Sequence, residues 1–183
     1  RAIFRPRTFQ RARSRLPVQM LLLAGILLSS ACASTPSLSA INQSLVMKFE
    51  QGGLIAKETE RGVVVYLPSL MFDFESADLS PLAIDKIIFI AKISNQGSVA
   101  KRAIQVEGHT DAYGGDEYNM HLSRARAEAA AEVLTDYSIA PGRIQTAWFG
   151  RSRPLVPNRF SDGKDNPQGR AANRRVEFVL LNP

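Results

Sequence analysis

The chain has 183 residues, with 23 Lys and Arg against 17 Asp and Glu, a formal charge of +6. The whole excess lies in Arg1, Arg5, Arg7, Arg11, Arg13 and Arg15; no acidic residue precedes Cys32, and from Cys32 onward the two signs balance. A neutral domain has no phosphate-neutralising groove to offer, so nucleic acid is excluded as a partner.

Behind those arginines, Leu16 to Ala31 is an apolar run ending in Ser29-Ser30-Ala31. The order of basic region, apolar region and small residues is that of a cleaved signal peptide over residues 1–31. Pro17 and Gln19 interrupt the run, which leaves less continuous apolar length than the roughly 20 residues a spanning helix needs. Cys32, the single cysteine, stands directly behind the cleavage site. Its setting resembles the lipobox of bacterial lipoproteins, with Ser29 where Leu is usual and Leu28 one place further back. The resemblance implies acylation of Cys32, palmitate included. Ala33 and Ser34 follow with no Asp, which in such lipoproteins implies the outer membrane. Several acyl chains, at about 0.8 kcal/mol per buried methylene, anchor stably where one does not. Residues 32–52 are expected to be a lipid-attached tether, because Ala33 to Ser44 is rich in Ser, Ala, Thr and Pro and shows no sustained periodicity.

From Gly53 to the last residue the pattern predicts one α+β domain. Leu54 to Thr59 and Val63 to Leu67 alternate or run apolar around Glu60-Arg61-Gly62, giving strand, turn, strand. Ser80-Pro81 opens a helix, Ser capping and Pro suiting the first turn, with Ile84, Ile87, Ile88 and Ala91 on one face and an end near Ser94. Ile104 to Glu107 reads as a strand, Tyr118 to Asp136 as a helix, and Arg143 to Phe149 and Val176 to Leu180 as strands. Such an order gives a mixed sheet covered on one face by two main helices.

One residue of the long helix conflicts with its surroundings. Leu122, Ala129, Ala130, Val133 and Leu134 gather on one side and Arg124, Glu128 and Glu132 on the other, yet Arg126 falls with the first group. Desolvating an unpaired guanidinium costs several kcal/mol, so a carboxylate, a ligand or a solvated cleft must meet it. Asp111, at the mouth of the preceding strand, is the nearest upstream candidate, and the two could form a structural salt bridge or a clamp for a zwitterion.

Three stretches carry a resemblance: Gly108-His109-Thr110-Asp111; Asn119 with Leu122-Ser123-Arg124-Ala125-Arg126-Ala127; and Gly169-Arg170-Ala171-Ala172-Asn173-Arg174-Arg175-Val176-Glu177-Phe178. With Phe72-Asp73-Phe74 and Ser76-Ala77 they resemble the OmpA-like peptidoglycan-binding domain, of the peptidoglycan-associated lipoprotein type. The resemblance implies a non-catalytic protein that binds the diaminopimelate of the stem peptide and ties the outer membrane to the wall. Asp111 would hold the distal ammonium, Arg126 the carboxylate beside it, Thr110 would give backbone contact, Asn119 a side-chain hydrogen bond and Arg174 a further donor. Glu75, where relatives often carry Asp or Asn, receives no role. Diaminopimelate differs from lysine by that carboxylate, and Arg meets it with a bidentate geometry that Lys lacks. The alternative is an OmpA-like part of an envelope-spanning complex, binding other envelope proteins through the loop from Pro154 to Gln168.

Other chemistries fit less well. Ser123 has His121 and Asp111 nearby in sequence but no Gly-x-Ser-x-Gly elbow, and is expected to face solvent or cap. His109, Asp111 and His121 match no metal-ligand spacing, so neither metal nor cofactor is expected. Asp162 to Asn166 lacks the alternating ligands of a calcium loop. His109 is expected to hydrogen-bond locally and support its loop, and Arg175 to be a solvated charge.

Overall fold

The computed structural model describes residues 35–71 and 76–183. The segment expected to be a signal peptide, the expected lipidation position Cys32, Phe72-Asp73-Phe74 and Glu75 lie outside the described residues. Thr35–Pro183 is one compact unit. Its elements in chain order are α1 (Leu38–Gln51), β1 (Ile55–Thr59), β2 (Gly62–Pro68), α2 (Pro81–Ser94), β3 (Ile104–His109), α3 (Asp116–Asp136), β4 (Ile144–Trp148), α4 (Pro167–Asn173) and β5 (Arg175–Leu181).

The strands form one sheet in the order β1-β2-β5-β3-β4. Only β3 and β4 run parallel, joined through α3; the other neighbours are antiparallel. The mixed α+β sheet is therefore the one expected, including the helix start in which Ser80 Oγ accepts from the Ala83 N–H at 3.2 Å. Alternation along each strand sorts the faces. Val63, Val65, Leu67, Ile104, Val106, Val176, Phe178 and Leu180 point into a single core with Ile87, Ile90, Ala127, Ala130 and Leu134. Val64 and Val179 are buried outside that core, on the face without helices.

The tether expected over 32–52 gives way at Leu38 to α1, a third helix on the core face. Ser37 caps it, Oγ accepting from the Ala40 N–H at 3.1 Å, and Leu45 and Phe49 enter the core, Phe49 meeting Phe89 edge to face at 6.5 Å. Asn42 occupies the buried stripe and breaks its apolar period. It is satisfied in place: its Oδ1 accepts from Arg102 Nη1 at 2.7 Å, and its Nδ2 donates to Glu58 and Asn182. Phe49→Ala should therefore cost about 3–5 kcal/mol of unfolding free energy in urea titration. A loss under 1 kcal/mol would show α1 to be peripheral.

Candidate functional site: an ionic cleft at the end of β3

Gly108, near the end of β3, sets the distance between strand and helix. A Cβ there would lie 1.9 Å from the Ser123 carbonyl oxygen, so only glycine lets α3 come this close. Ser123 then locks the junction. Its Oγ donates to the Met120 carbonyl at 2.9 Å and accepts from the Gly150 N–H at 3.0 Å, while the Gly150 carbonyl accepts from the Thr110 N–H at 2.8 Å. Ser123 is thus fully buried, not solvent-facing, because the close approach of strand and helix encloses it. Its hydroxyl is committed to that lock.

Two residues beyond the strand, Asp111 is buried with 6% exposure. Its Oδ1 accepts from the Tyr113 N–H at 2.9 Å, and its Oδ2 accepts from Arg174 Nη1 at 2.7 Å with Arg170 Nε at 3.8 Å. Arg126 is equally buried, and its Nε donates to the Ser76 carbonyl at 2.9 Å. Burial, and after it the charge of Arg174, push the Arg126 guanidinium below its usual range, against the opposing pull of Tyr118 and Asp111. Arg126 remains a cation, since arginine keeps its proton in proteins. The site thus gathers Asp111, Arg126 and Arg174 from three separate elements, with Arg174 seated directly on the carboxylate and Arg126 acting on it through space. The Arg174 side chain is 34% exposed, which makes it the movable member.

Thr110 and Asn119 brace the loop that carries Asp111. Thr110 Oγ1 donates to the Asp111 carbonyl at 3.2 Å, and Asn119 Nδ2 donates to the Tyr113 carbonyl at 2.6 Å. Arg170 had no assigned role in the sequence reading. It joins Asp111 to Asp165 and lies 4.8 Å over the Tyr113 ring. Its signal was the spacing: Asn166 and Pro167 open α4, and positions 170 and 174 are one turn apart.

On the helix-free face, Arg61, Glu107, His109, Glu177 and Arg175 lie side by side. His109 Nε2 lies 3.7 Å from Glu107 and 3.8 Å from Glu177, contacts longer than hydrogen bonds, and the ring stacks on Phe149 at 5.3 Å. The local hydrogen bond expected of His109 is thus replaced by these contacts. Arg175 is not a solvated charge: it is 5% exposed, pairs with Glu177 at 2.6 Å and donates to the Arg153 carbonyl, because the loop after β4 folds over this face. Glu107, His109 and Glu177 bring their ligand atoms within 4.8 Å of one another, but Arg61 and Arg175 already supply the cations there. His121 stands apart, exposed beside Glu117.

Burial is the largest influence on the Glu107 carboxyl and raises its pKa, but the contacts of His109 and Arg61 outweigh it and the net shift is downward. A carboxyl lowered by folding adds stability that is complete above the unfolded pKa, about 4.3, and is lost as the pH falls through the folded value. The stability difference between wild type and Glu107→Gln should therefore be constant above about pH 5 and shrink below about pH 4 in urea titrations. A difference independent of pH down to pH 3 would contradict this.

A groove of about 450 Å³ between α1 and the end of α2, lined by Ile41, Leu45, Lys48, Ile93 and Val99, holds no convergent charges. The chemistry lies at the end of β3. A family profile described as the OmpA family matches residues 71–168. The chain belongs to that family. The match covers α2 to β4 and stops before Arg170 and Arg174, which the fold adds to the site. The OmpA-like chain is 31% identical over 134 residues to the probable lipoprotein YiaD of Escherichia coli, covering 73% of this chain and 58% of that protein. It is 30% identical over 128 residues to the peptidoglycan-associated lipoprotein of Pseudomonas putida, covering 69% of this chain and 71% of the relative. Among solved structures, the periplasmic domain of Helicobacter pylori MotB superposes with a TM-score of 0.60 at 26% identity, covering 71% of this chain and 82% of that one. The chain spans between 19% and 58% of the length of the first four curated relatives it matches.

Proposed function

We propose that this OmpA-like protein binds peptidoglycan without catalysis, through the diaminopimelate of the stem peptide, and ties the outer membrane to the cell wall. The observation that carries the reading is the convergence of Asp111, Arg126 and Arg174 at one edge of the domain. An anion and two cations on three elements match the ammonium and carboxylate that share one carbon of diaminopimelate. The ammonium takes Asp111 Oδ2, and Arg174, half released, turns with Arg126 toward the carboxylate. Thr110 and Asn119 hold the loop in register. Catalysis has little support, since the Ser123 hydroxyl is committed to Gly150 and Met120, and His121 is exposed beside Glu117.

The lipoprotein names of two relatives and the setting of Cys32 support a signal peptide over 1–31, acylation of Cys32 and outer-membrane placement facing the periplasm. Binding at each cleft can be weak, because many copies between two extended surfaces hold through effective concentration. The purified protein should pellet with diaminopimelate-type sacculi, and mass spectrometry of the mature amino terminus should find diacylglyceryl and acyl groups on Cys32. A supernatant-only protein would refute wall binding, and an unmodified thiol would refute the anchor.

A second reading, docking to another envelope protein, is favoured by Leu155, Val156 and Phe160, which are exposed on the loop after β4. Crosslinking in cells that recovers proteins rather than sacculus fragments would support it.

A further inference from the structure

The most exposed aromatic ring of the described residues stands beside the ionic cleft. Tyr113 is 68% exposed, yet its backbone is fixed at both ends: the N–H donates to Asp111 Oδ1 at 2.9 Å, and the carbonyl accepts from Asn119 Nδ2 at 2.6 Å. Gly114 follows with φ 82°, and a Cβ there would lie 3.1 Å from the Tyr118 ring. The Tyr113 ring itself rests against the Arg170 guanidinium at 4.8 Å, and Arg170 is held by Asp165 and Asp111. One ring face is thus covered by a tethered cation, and the rest is presented to water on a loop that cannot easily turn it away.

Leaving a large apolar surface in water while fixing its backbone is unfavourable for folding alone, and it preorganises a contact. The position says with what. Tyr113 lies two residues from Asp111, within about 7 Å along the chain. A ligand gripped by the ammonium and carboxylate at its distal carbon must send its remaining atoms outward past that mouth. In a diaminopimelate stem those atoms lead to the adjoining alanine, whose methyl group is apolar and which the free amino acid lacks. The sugar lies several residues further along the stem, beyond the reach of this ring.

We propose that the exposed face of Tyr113 packs on the alanine that adjoins diaminopimelate in a stem peptide, making the site a reader of a peptide and not of the free amino acid. The inference rests on the diaminopimelate reading of the same cleft. Aromatic rings bury well against such groups, and Arg170 beneath adds rigidity to the platform.

The test is calorimetric titration of the full chain with two ligands, free meso-diaminopimelate and a disaccharide-tetrapeptide muropeptide. Tyr113→Ala should weaken the muropeptide by about five- to tenfold, the order expected for exposing one ring face, and leave free diaminopimelate within about twofold of wild type. Tyr113→Phe should match wild type with both ligands, as should Tyr137→Ala at the far end of α3. Every one of these variants keeps the backbone N–H that serves Asp111. Wild-type muropeptide affinity in Tyr113→Ala would overturn the inference, and so would an equal loss for both ligands, which would reduce Tyr113 to a prop for Arg170. Wild-type protein that binds neither ligand would instead bring down the diaminopimelate reading, and this inference with it.

Discussion

Arg126→Ala should abolish co-sedimentation with diaminopimelate-type sacculi and lower affinity for a diaminopimelate muropeptide by about two orders of magnitude. A hydrogen bond to a charged group contributes about 1.5–3 kcal/mol, and a guanidinium offers a carboxylate two of them. The fold should survive. Arg126 is a buried cation, so its removal relieves a desolvation cost and the repulsion of Arg174 while it forfeits the attraction of Asp111 and the bond to the Ser76 carbonyl. We expect stability within about 2 kcal/mol of wild type, since most single substitutions fall in that range. Asp111→Ala should match it in binding, having lost the seat of the ammonium. Its folding cost should be larger, because Asp111 also receives the Tyr113 N–H and Arg174. Pelleting assays and thermal melts on the same preparations separate the two effects. Undiminished pelleting of both variants would defeat the role assigned to this cleft.

Gly108→Ala should be strongly destabilising although it adds a single methyl group. Its Cβ would sit 1.9 Å from the Ser123 carbonyl oxygen and 2.7 Å from the carbonyl carbon, both backbone atoms. No rotamer change can relieve that overlap, so β3 and α3 must separate. Overpacking typically costs about 1–3 kcal/mol and more when backbone must move, so a loss of about 3 kcal/mol or more is expected. For a domain of this size that lowers the melting temperature by about 6–12 °C. The functional loss should exceed the structural one, because the same movement carries Arg126 away from Asp111 and breaks the Ser123 to Gly150 lock. A melting temperature within 2 °C of wild type would mean that strand and helix do not meet as closely as described.

The parts of this design that local chemistry dictates were readable before the fold was known. Ser80-Pro81 and Asn95 bound α2 because capping and termination are local acts. The β1-β2 hairpin followed from apolar runs on either side of Arg61-Gly62. What escaped was set by distant residues. Asn42 hid α1, because its place on a buried stripe makes sense only once Arg102, Glu58 and Asn182 arrive to satisfy it. The expected buried face of α3 held Ala130 and Leu134, which are buried, but also Leu122, Ala129 and Val133, which are half-buried, and it lacked Ala127 and Ala131, which pack. Small side chains carry little hydrophobic weight, yet they let the backbones approach. The anomaly of Arg126 correctly marked a buried guanidinium beside Asp111, but a helical wheel cannot rank cations supplied from elsewhere. Arg174, 63 residues from Asp111 in sequence, took the direct contact. Arg175, one residue further, points to the opposite face of the sheet and pairs with Glu177.

Recognition of diaminopimelate means recognition of an ammonium and a carboxylate on the same carbon. Titrating the wild-type chain with two stem peptides that differ only in carrying diaminopimelate or lysine isolates that carboxylate. The diaminopimelate peptide should bind at least about tenfold tighter, the equivalent of one charge-assisted hydrogen bond. Equal affinity for the two peptides would contradict it.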